Sequence, residues 1–529
     1  LIVYKNITLY FCVSLAMALF FRFDPYHMPT GMSTMRSGNI GKGLGEGKYT
    51  PEEEKETRFW LDQALEDLTE KMGRQHNYRK AKNIIMLLGD GMSVSTLTSA
   101  RILKGQRLGK TGEESKLAID KMPYAGLSKT YCTNGQTPDS ACTATAYLCG
   151  VKTNMLMIGV NAHVNFNNCS ASADKRNHVD SIATWAQRSG KSSGIVTTTT
   201  VTHASPSGSF AHVANRLWES DADLAESGTD RRGGCVDIAT QLITQEPGRN
   251  FDVILGGGMT NFLPNSEVDA FGTSGRRLDG INLIKEWQQN NPDGEFITTL
   301  DELKMAMRNR TKRLFGTFNS GNLEFNMNSK DKRPTQPRLK DMAVAAIRTL
   351  SQNPRGYFLF VEGGRIDHGH HQTQAGLALD EMLEFDEAIE AVRRLTNEKD
   401  TLVVVTADHS HTMSIAGYPG RGNPILQVNE YDTDVFGTPY ATLNYAVGIQ
   451  QYLLEDGKRE DLSGKLNEQS FTPSYIKGVM GTHSGEDVIV AARGPHSHLF
   501  SGVMQQNLIP HLMAYAAKID SGLKNVDDT

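Results

Sequence analysis

Basic clusters are missing from this chain, and so are internal repeats and long low-complexity segments. Its 55 Lys and Arg against 60 Asp and Glu leave a net charge of −5, with no basic stripe to track a polyphosphate backbone. Nucleic acid is therefore not an expected partner, and any anion must be attracted locally rather than by a global field. Long apolar runs are missing too. The stretch Ile7–Phe21, behind Lys5 and containing Ala16-Met17-Ala18, is short for the roughly 20 residues of a spanning helix. Residues 1–21 read as a secretory signal peptide, with a signal anchor as the alternative. Cysteine is scarce, six among 529 residues, a number that fits bridges in an oxidising compartment. With 39% hydrophobic residues the chain can bury a large core. Its βαβ-like alternation points to one large α/β unit with insertions.

What is present is a set of apolar, β-branched runs that stop abruptly on metal-binding side chains. Thr401-Leu-Val-Val-Val-Thr-Ala is followed by Asp408-His409-Ser410-His411. Asn83-Ile-Ile-Met-Leu-Leu88 ends in Gly89-Asp90-Gly91-Met92, and Tyr357-Phe-Leu-Phe-Val361 in Glu362-Gly-Gly-Arg-Ile-Asp367-His368-Gly-His370-His371. Gly194–Thr200 leads into His203 and Ser205, and His483 precedes the run Asp487–Ala492. Such runs read as strands buried on both faces of a parallel sheet, where ligands bind beyond the carboxyl ends. Carboxylates and imidazoles at those ends are the donors a zinc ion takes. Asp367 and His371, four residues apart, share one side of a helical turn.

Thr137-Pro138-Asp139-Ser140 precedes the helix-compatible run Ala141-Cys-Thr-Ala-Thr-Ala. Ser140 is thus expected at a helix N-terminus, where free N–H groups and the dipole favour an anion. By itself this segment reads equally as an Asp or Ser N-cap.

Taken in order, Gly89-Asp-Gly-Met92, Pro138-Asp-Ser-Ala141, His203-Ala-Ser-Pro206, Val361–His371, Thr406–His411 and Thr482-His483 resemble the motifs of animal-type alkaline phosphatases over roughly residues 50–518. The resemblance implies an α/β three-layer sandwich, its large central sheet mostly parallel with helices on both faces. It also implies a small surface insertion, the crown, at 415–482, within a core of 50–414 and 483–518 followed by a tail at 519–529. Residues 415–482 show no strong strand runs. By similarity, one zinc is held by Asp367, His371 and His483, and a second by Asp90, Asp408 and His409. Magnesium takes Asp90, Ser205 and Glu362, an all-oxygen set that suits it. Ser140 is the implied nucleophile and Arg216 the phosphate clamp, since a planar fork engages two phosphate oxygens. Asp139, His203, His368 and His411 are implied supporting residues, while His212 and His370 read as structural.

The implied reaction is hydrolysis of small phosphate monoesters through a phosphoserine, with activity rising above neutral pH. The implied setting is a homodimer that is secreted or held at the outer face of the plasma membrane. A lipid anchor would require sequence beyond Thr529. The resemblance pairs Cys169 with Cys235 and leaves Cys149 a core thiol, whereas a Cys132–Cys142 bridge stays open. Asn168 and Asn309 head N-glycosylation patterns. Ser93 and Cys142 depart from the family pattern, and Ser93 is suited to cap the helix it precedes. A fourth, calcium-like site is matched only by Asp279, with Gly233 where a carboxylate is expected, so calcium is left open. Two further readings are a phosphodiesterase or sulfatase of the same superfamily and a catalytically inert cell-surface binding protein retaining the fold. Asp139-Ser140-Ala141 argues against the first, and the full ligand set against the second.

Overall fold

The computed structural model describes residues 51–229 and 233–523, so the signal-peptide reading of 1–21 and the last residues of the tail lie outside it. Short apolar runs become strands, beginning with β1 (Asn83–Gly89), β2 (Tyr124–Lys129), β3 (Ser192–Thr200), β4 (Val253–Gly257), β5 (Gly294–Ile297) and β6 (Arg313–Thr317). β7 (Tyr357–Gly363), β8 (Thr401–Ala407), β16 (Val488–Arg493) and β17 (Gly502–Gln505) complete one ten-stranded sheet, in the order β17-β2-β16-β8-β1-β7-β3-β4-β6-β5. Only β16 runs antiparallel to its neighbours β2 and β8; the other pairings are parallel.

The helices used below are α1 (Thr57–Gly73), α2 (Val94–Arg107), α3 (Ser140–Cys149), α4 (Leu339–Leu350), α5 (Arg365–His371), α6 (Ala375–Leu395) and α7 (Ile509–Ala517). A single 3-10 turn at Glu52–Lys55 precedes α1, where the acidic run predicts a helix start. Ser93 caps α2 as expected, its hydroxyl accepting from Thr96 N–H.

Side-chain alternation along the strands sorts the core into two layers. Ile84, Met86, Leu88, Phe358, Phe360, Leu402 and Val404 pack with α3 and α7 on one face. Ile85, Leu87, Leu359, Val361, Val403 and Val405 pack with α2, α4 and α6 on the other. Both faces of the central strands are buried, which is why their sequences are continuously apolar. Each such side chain contributes about 1.5–3 kcal/mol by leaving water.

This topology decides where the functional side chains go. β7, β1 and β8 are adjacent and parallel, so their carboxyl ends open on one edge, with Gly89 level with both Gly363 and Ala407. Because β16 is antiparallel to β8, the residues before it arrive at that same edge. β9 (Ser410–His411) and β15 (His483–Ser484) pair there, His483 directly opposite His411. The insertion leaves and returns through that pair. It contains β10 (Met413–Ile415), β13 (Leu443–Gly448) and β14 (Ser474–Lys477) in one sheet, and β11 (Val428–Thr433) with β12 (Pro439–Ala441) in another. These strands are short and half-exposed, so they carry no apolar run, and the first begins at Met413.

At Gly369, midway between Asp367 and His371, a β-carbon would lie 2.6 Å from Ala378 N and 2.7 Å from its Cα. α5 therefore meets α6 backbone to backbone. Gly369→Ala is expected to destabilise the protein by about 1–3 kcal/mol through overpacking, read as a lower midpoint of thermal or urea denaturation. An unchanged midpoint contradicts this close packing.

Candidate metal centre and active site

Three carboxylates meet at the edge formed by β1, β7 and β8. Asp90, Glu362 and Asp408 are each 0% exposed. Two of them, Glu362 and Asp408, have their backs fixed. Glu362 Oε2 accepts from the hydroxyls of Thr197 and Thr199, and Thr197 on β3 lies in register with Glu362. Asp408 Oδ1 accepts from Gly91 N (2.9 Å) and His409 N (2.8 Å). Their fronts are bare: both oxygens of Asp90, Asp408 Oδ2 and Glu362 Oε1 have no hydrogen-bond partner, nor does buried Ser205 Oγ. Ser205 stands beside Glu362. Buried, uncompensated carboxylates cost several kcal/mol each, and a cation removes that cost.

The imidazoles point the same way. His371 Nδ1 donates to Gly481 O (2.7 Å) and His483 Nδ1 to Pro138 O (2.9 Å). A carbonyl only accepts, so each Nδ1 carries the proton and each Nε2 presents a lone pair. Those two Nε2 atoms lie 3.0 Å apart, at 3.3 and 3.4 Å from the carboxylate of Asp367. His409 repeats the pattern: Nδ1 faces Ser410 O, and Nε2 sits 3.1 Å from Asp408 Oδ2, 3.5 Å from Asp90 Oδ1 and 3.2 Å from Ser140 Oγ. Lone pairs crowded against anionic oxygens repel one another unless a metal ion lies between them. The donors fit such ions: nitrogen and oxygen around Asp367, oxygen-rich around Asp90 and Glu362. His411 joins the Asp367 cluster in a supporting position, its Nε2 on Asp367 Oδ1 (2.5 Å) and its Nδ1 on Thr482 O (3.0 Å).

Electrostatics follow from this burial. Desolvation, then repulsion from Asp408, pushes the Asp90 carboxyl far above the usual range. Burial raises Glu362 to about 7 against the hydrogen bond of Thr197, and raises Asp408 to about 6 against the Gly91 N–H. At Asp367, burial is overcome by His371 and His411, which hold the acid well below its ordinary value. Burial, then Arg216, keeps His203 neutral, while burial and Arg365 lower His368 to about 3.

Ser140 is the first residue of α3 and is 1% exposed. Asp139 caps the helix, accepting from Ala141 N (3.2 Å), Cys142 N (3.3 Å) and Leu156 N (2.9 Å), and also holds Arg216 Nη1 (3.2 Å). Arg216 Nη2 donates to His203 Nε2 (3.0 Å), which leaves His203 Nδ1–H as a buried donor without a partner. Arg365 donates to His368 Nδ1 (2.7 Å), and the rings of His203 and His368 meet edge to face at 5.6 Å. The residues singled out in the sequence as catalytic, metal-binding or supporting are thus brought into one continuous site. His212 stands apart from it, bound to Gly159 O, while His370, bound to Thr96 and Tyr445, adjoins it through the His411 ring at 4.9 Å.

Sequence reasoning missed Thr197, Thr199 and Arg365; the run of threonines closing β3 is the one signal that pointed to the first two. Cys169 is bonded to Cys235, Cys149 is a buried thiol, and the open question of Cys132 and Cys142 resolves as a second bridge. Asp279, the lone match to a fourth cation site, is engaged by the Arg277 guanidinium, which also binds Asp237.

The family model described as Alkaline phosphatase matches residues 81–519. The membrane-bound alkaline phosphatase of Bombyx mori is 45% identical over 481 residues, 89% of this chain and 86% of that protein. The tissue-nonspecific alkaline phosphatase isozyme of Gallus gallus is 46% identical over 489 residues, 90% of this chain and 92% of that protein. The solved structure of Thermus thermophilus alkaline phosphatase aligns with a TM-score of 0.61 at 22% identity, covering 85% of this chain and 94% of its own. That from the Antarctic bacterium TAB5 gives 0.57 at 23%, covering 83% and 99%. At those identities the two structures bear on the fold alone.

The raised carboxyls give a pH-dependent expectation. Without metal they keep their protons up to about 6 for Asp408 and about 7 for Glu362, so metal loading below these values displaces protons. Above them those protons have already left. Calorimetric titration of zinc and magnesium into chelator-stripped protein, in buffers of different ionisation enthalpy, should show proton release falling between about pH 5 and 8. Constant release across that range contradicts the buried-acid reading.

Proposed function

The chain belongs to the alkaline phosphatase family, and from that premise we propose that this phosphomonoesterase works through a phosphoserine at Ser140 with two zinc ions and one magnesium. The observation that carries this reading is the convergence of unpaired carboxylate oxygens and Nε2 lone pairs around the Ser140 hydroxyl, at a helix N-terminus beside Arg216. Asp367, His371 and His483 would hold one zinc; Asp90, Asp408 and His409 the other; Asp90, Ser205 and Glu362 the magnesium. The ions, when bound, supply the positive charge that acidifies the attacking oxygens and neutralises the departing alcohol oxygen.

The chain's own groups do the positioning, which supplies much of the rate for a loose phosphoryl transition state. Arg216 is aimed by Asp139 Oδ2 and by His203 Nε2, so its fork is fixed before a phosphate arrives. The N–H groups of α3 and its dipole favour an anion at Ser140. Ser140 Oγ gives up its proton and forms a bond to phosphorus as the P–O bond to the alcohol breaks, and the departing oxygen takes up a proton. Water then attacks the phosphoserine, releasing inorganic phosphate and restoring Ser140.

The described residues contain no helix long and apolar enough to cross a membrane. Two bridged cysteine pairs and exposed Asn168 and Asn309 favour an extracellular glycoprotein. Its substrates are small phosphate monoesters and its assembly a homodimer.

Turnover of p-nitrophenyl phosphate, without comparable turnover of its bis ester, tests the reaction class. Ser140→Ala should abolish acid-trappable phosphate on the protein while metal content stays normal; labelled phosphate on that variant removes Ser140 from its role. Arg216→Ala should weaken inhibition by inorganic phosphate about tenfold or more and harm turnover less than Asp408→Ala does. Equal losses in both variants mean that the clamp has been misread.

A further inference from the structure

The segment between β2 and α3 holds three parts of the site with three consecutive residues. The Pro138 carbonyl accepts from His483 Nδ1 (2.9 Å), the Asp139 carboxylate from Arg216 (3.2 Å), and Ser140 Oγ lies 3.2 Å from His409 Nε2. Just upstream the chain has little packing to fix it. Thr133, Asn134, Gln136 and Thr137 are exposed, and Gly135 is half-buried. Hydrogen bonds to Thr153, Asn154 and Met155 hold one flank of this loop.

A covalent bond supplies what packing does not. Cys132 and Cys142 are 3% and 2% exposed, their Cα atoms lie 5.9 Å apart, and they are bridged across a separation of 10 residues. Cys142 is the third residue of α3, and its N–H donates to Asp139 Oδ1 (3.3 Å). The bridge thus ties the exposed loop to the first turn of the helix and closes a ring containing Pro138, Asp139 and Ser140. Such a ring withdraws conformations from this segment. Misplacing a reacting group by about 1 Å can slow a reaction by roughly a hundredfold.

We propose that the Cys132–Cys142 disulfide is a positioning cross-link that holds Ser140, Asp139 and Pro138 in catalytic register. The proposal rests on the reading of Ser140 as nucleophile. Opening the bridge lets the loop and the first turn of α3 shift together, so Ser140 loses its aim and Arg216 loses its brace.

The test is Cys132→Ser/Cys142→Ser in the full chain, with kcat, inhibition by inorganic phosphate, metal content and the unfolding midpoint measured together. We expect kcat to fall about tenfold or more and phosphate inhibition to weaken, with metal content unchanged. A lower midpoint with kcat of the folded protein unchanged would make the bridge a fold staple only, which overturns the proposal. Reduction of the folded wild-type protein gives an independent reading. A water-soluble phosphine takes oxygen from water to become its oxide, and the disulfide gains two electrons and two protons as two thiols. The same loss of kcat should follow, recover on re-oxidation by glutathione disulfide, and be absent from the serine double variant. An equal loss in that variant would assign the effect to Cys169–Cys235 and sink the proposal. Activity surviving in Ser140→Ala refutes the nucleophile itself, whereas an inactive Ser140→Ala beside a fully active double variant refutes only the cross-link.

Discussion

Three carboxylates buried side by side, with their front oxygens unpaired, are the constraint around which this molecule is arranged. Asp90, Glu362 and Asp408 are fully enclosed at the ends of neighbouring strands, and burial together with mutual repulsion drives their acidity down. A fold accepts such a cluster only if something positive occupies its centre. The backs of Glu362 and Asp408 are pinned by threonine hydroxyls and backbone N–H groups, which turns the remaining oxygens toward that centre. His371, His409 and His483, with Nδ1 facing backbone carbonyls, turn their Nε2 atoms toward it. The metal centre is thus a property of the sheet edge, settled by which strands are neighbours.

Much of this was legible in the chain itself. A strand buried on both faces cannot alternate, so β1, β7 and β8 stand out as apolar runs, and their abrupt ends on Asp90, Glu362 and Asp408 mark the edge. The spacing of Asp367 and His371 matched a helical turn, and Ser140 opens a helix as its neighbours suggest. What stayed hidden depended on contacts across the sheet. Nothing local distinguishes Thr197 from the threonines around it until β3 is laid in register against Glu362. Arg365 reads as one more charge on a helix, yet it decides which nitrogen of His368 is free. The insertion's small sheets escaped notice because their strands are brief and half-exposed, leaving no apolar run. The Cys132–Cys142 bridge could not be settled because pairing is a matter of distance, and sequence carries none.

Asp139 illustrates how few residues carry the geometry. One carboxylate closes the first turn of α3, binds Leu156 N–H and braces Arg216. Such sharing gives precision, because the serine and the guanidinium cannot drift independently. It also concentrates vulnerability, since any change that rotates this one side chain disturbs both.

The pairing of His411 with His483 has a consequence for how the protein can diversify. The excursion between them departs and rejoins through two opposed residues, and in between it is tied back to the scaffold at Ser95, Gln106, Arg107, His370 and Ala375. Closing a longer excursion adds little, since the entropic penalty grows only with the logarithm of length. Length can therefore vary in the stretches between those ties, whereas the tied positions, Tyr445 against His370 above all, are bound to the scaffold that carries the site.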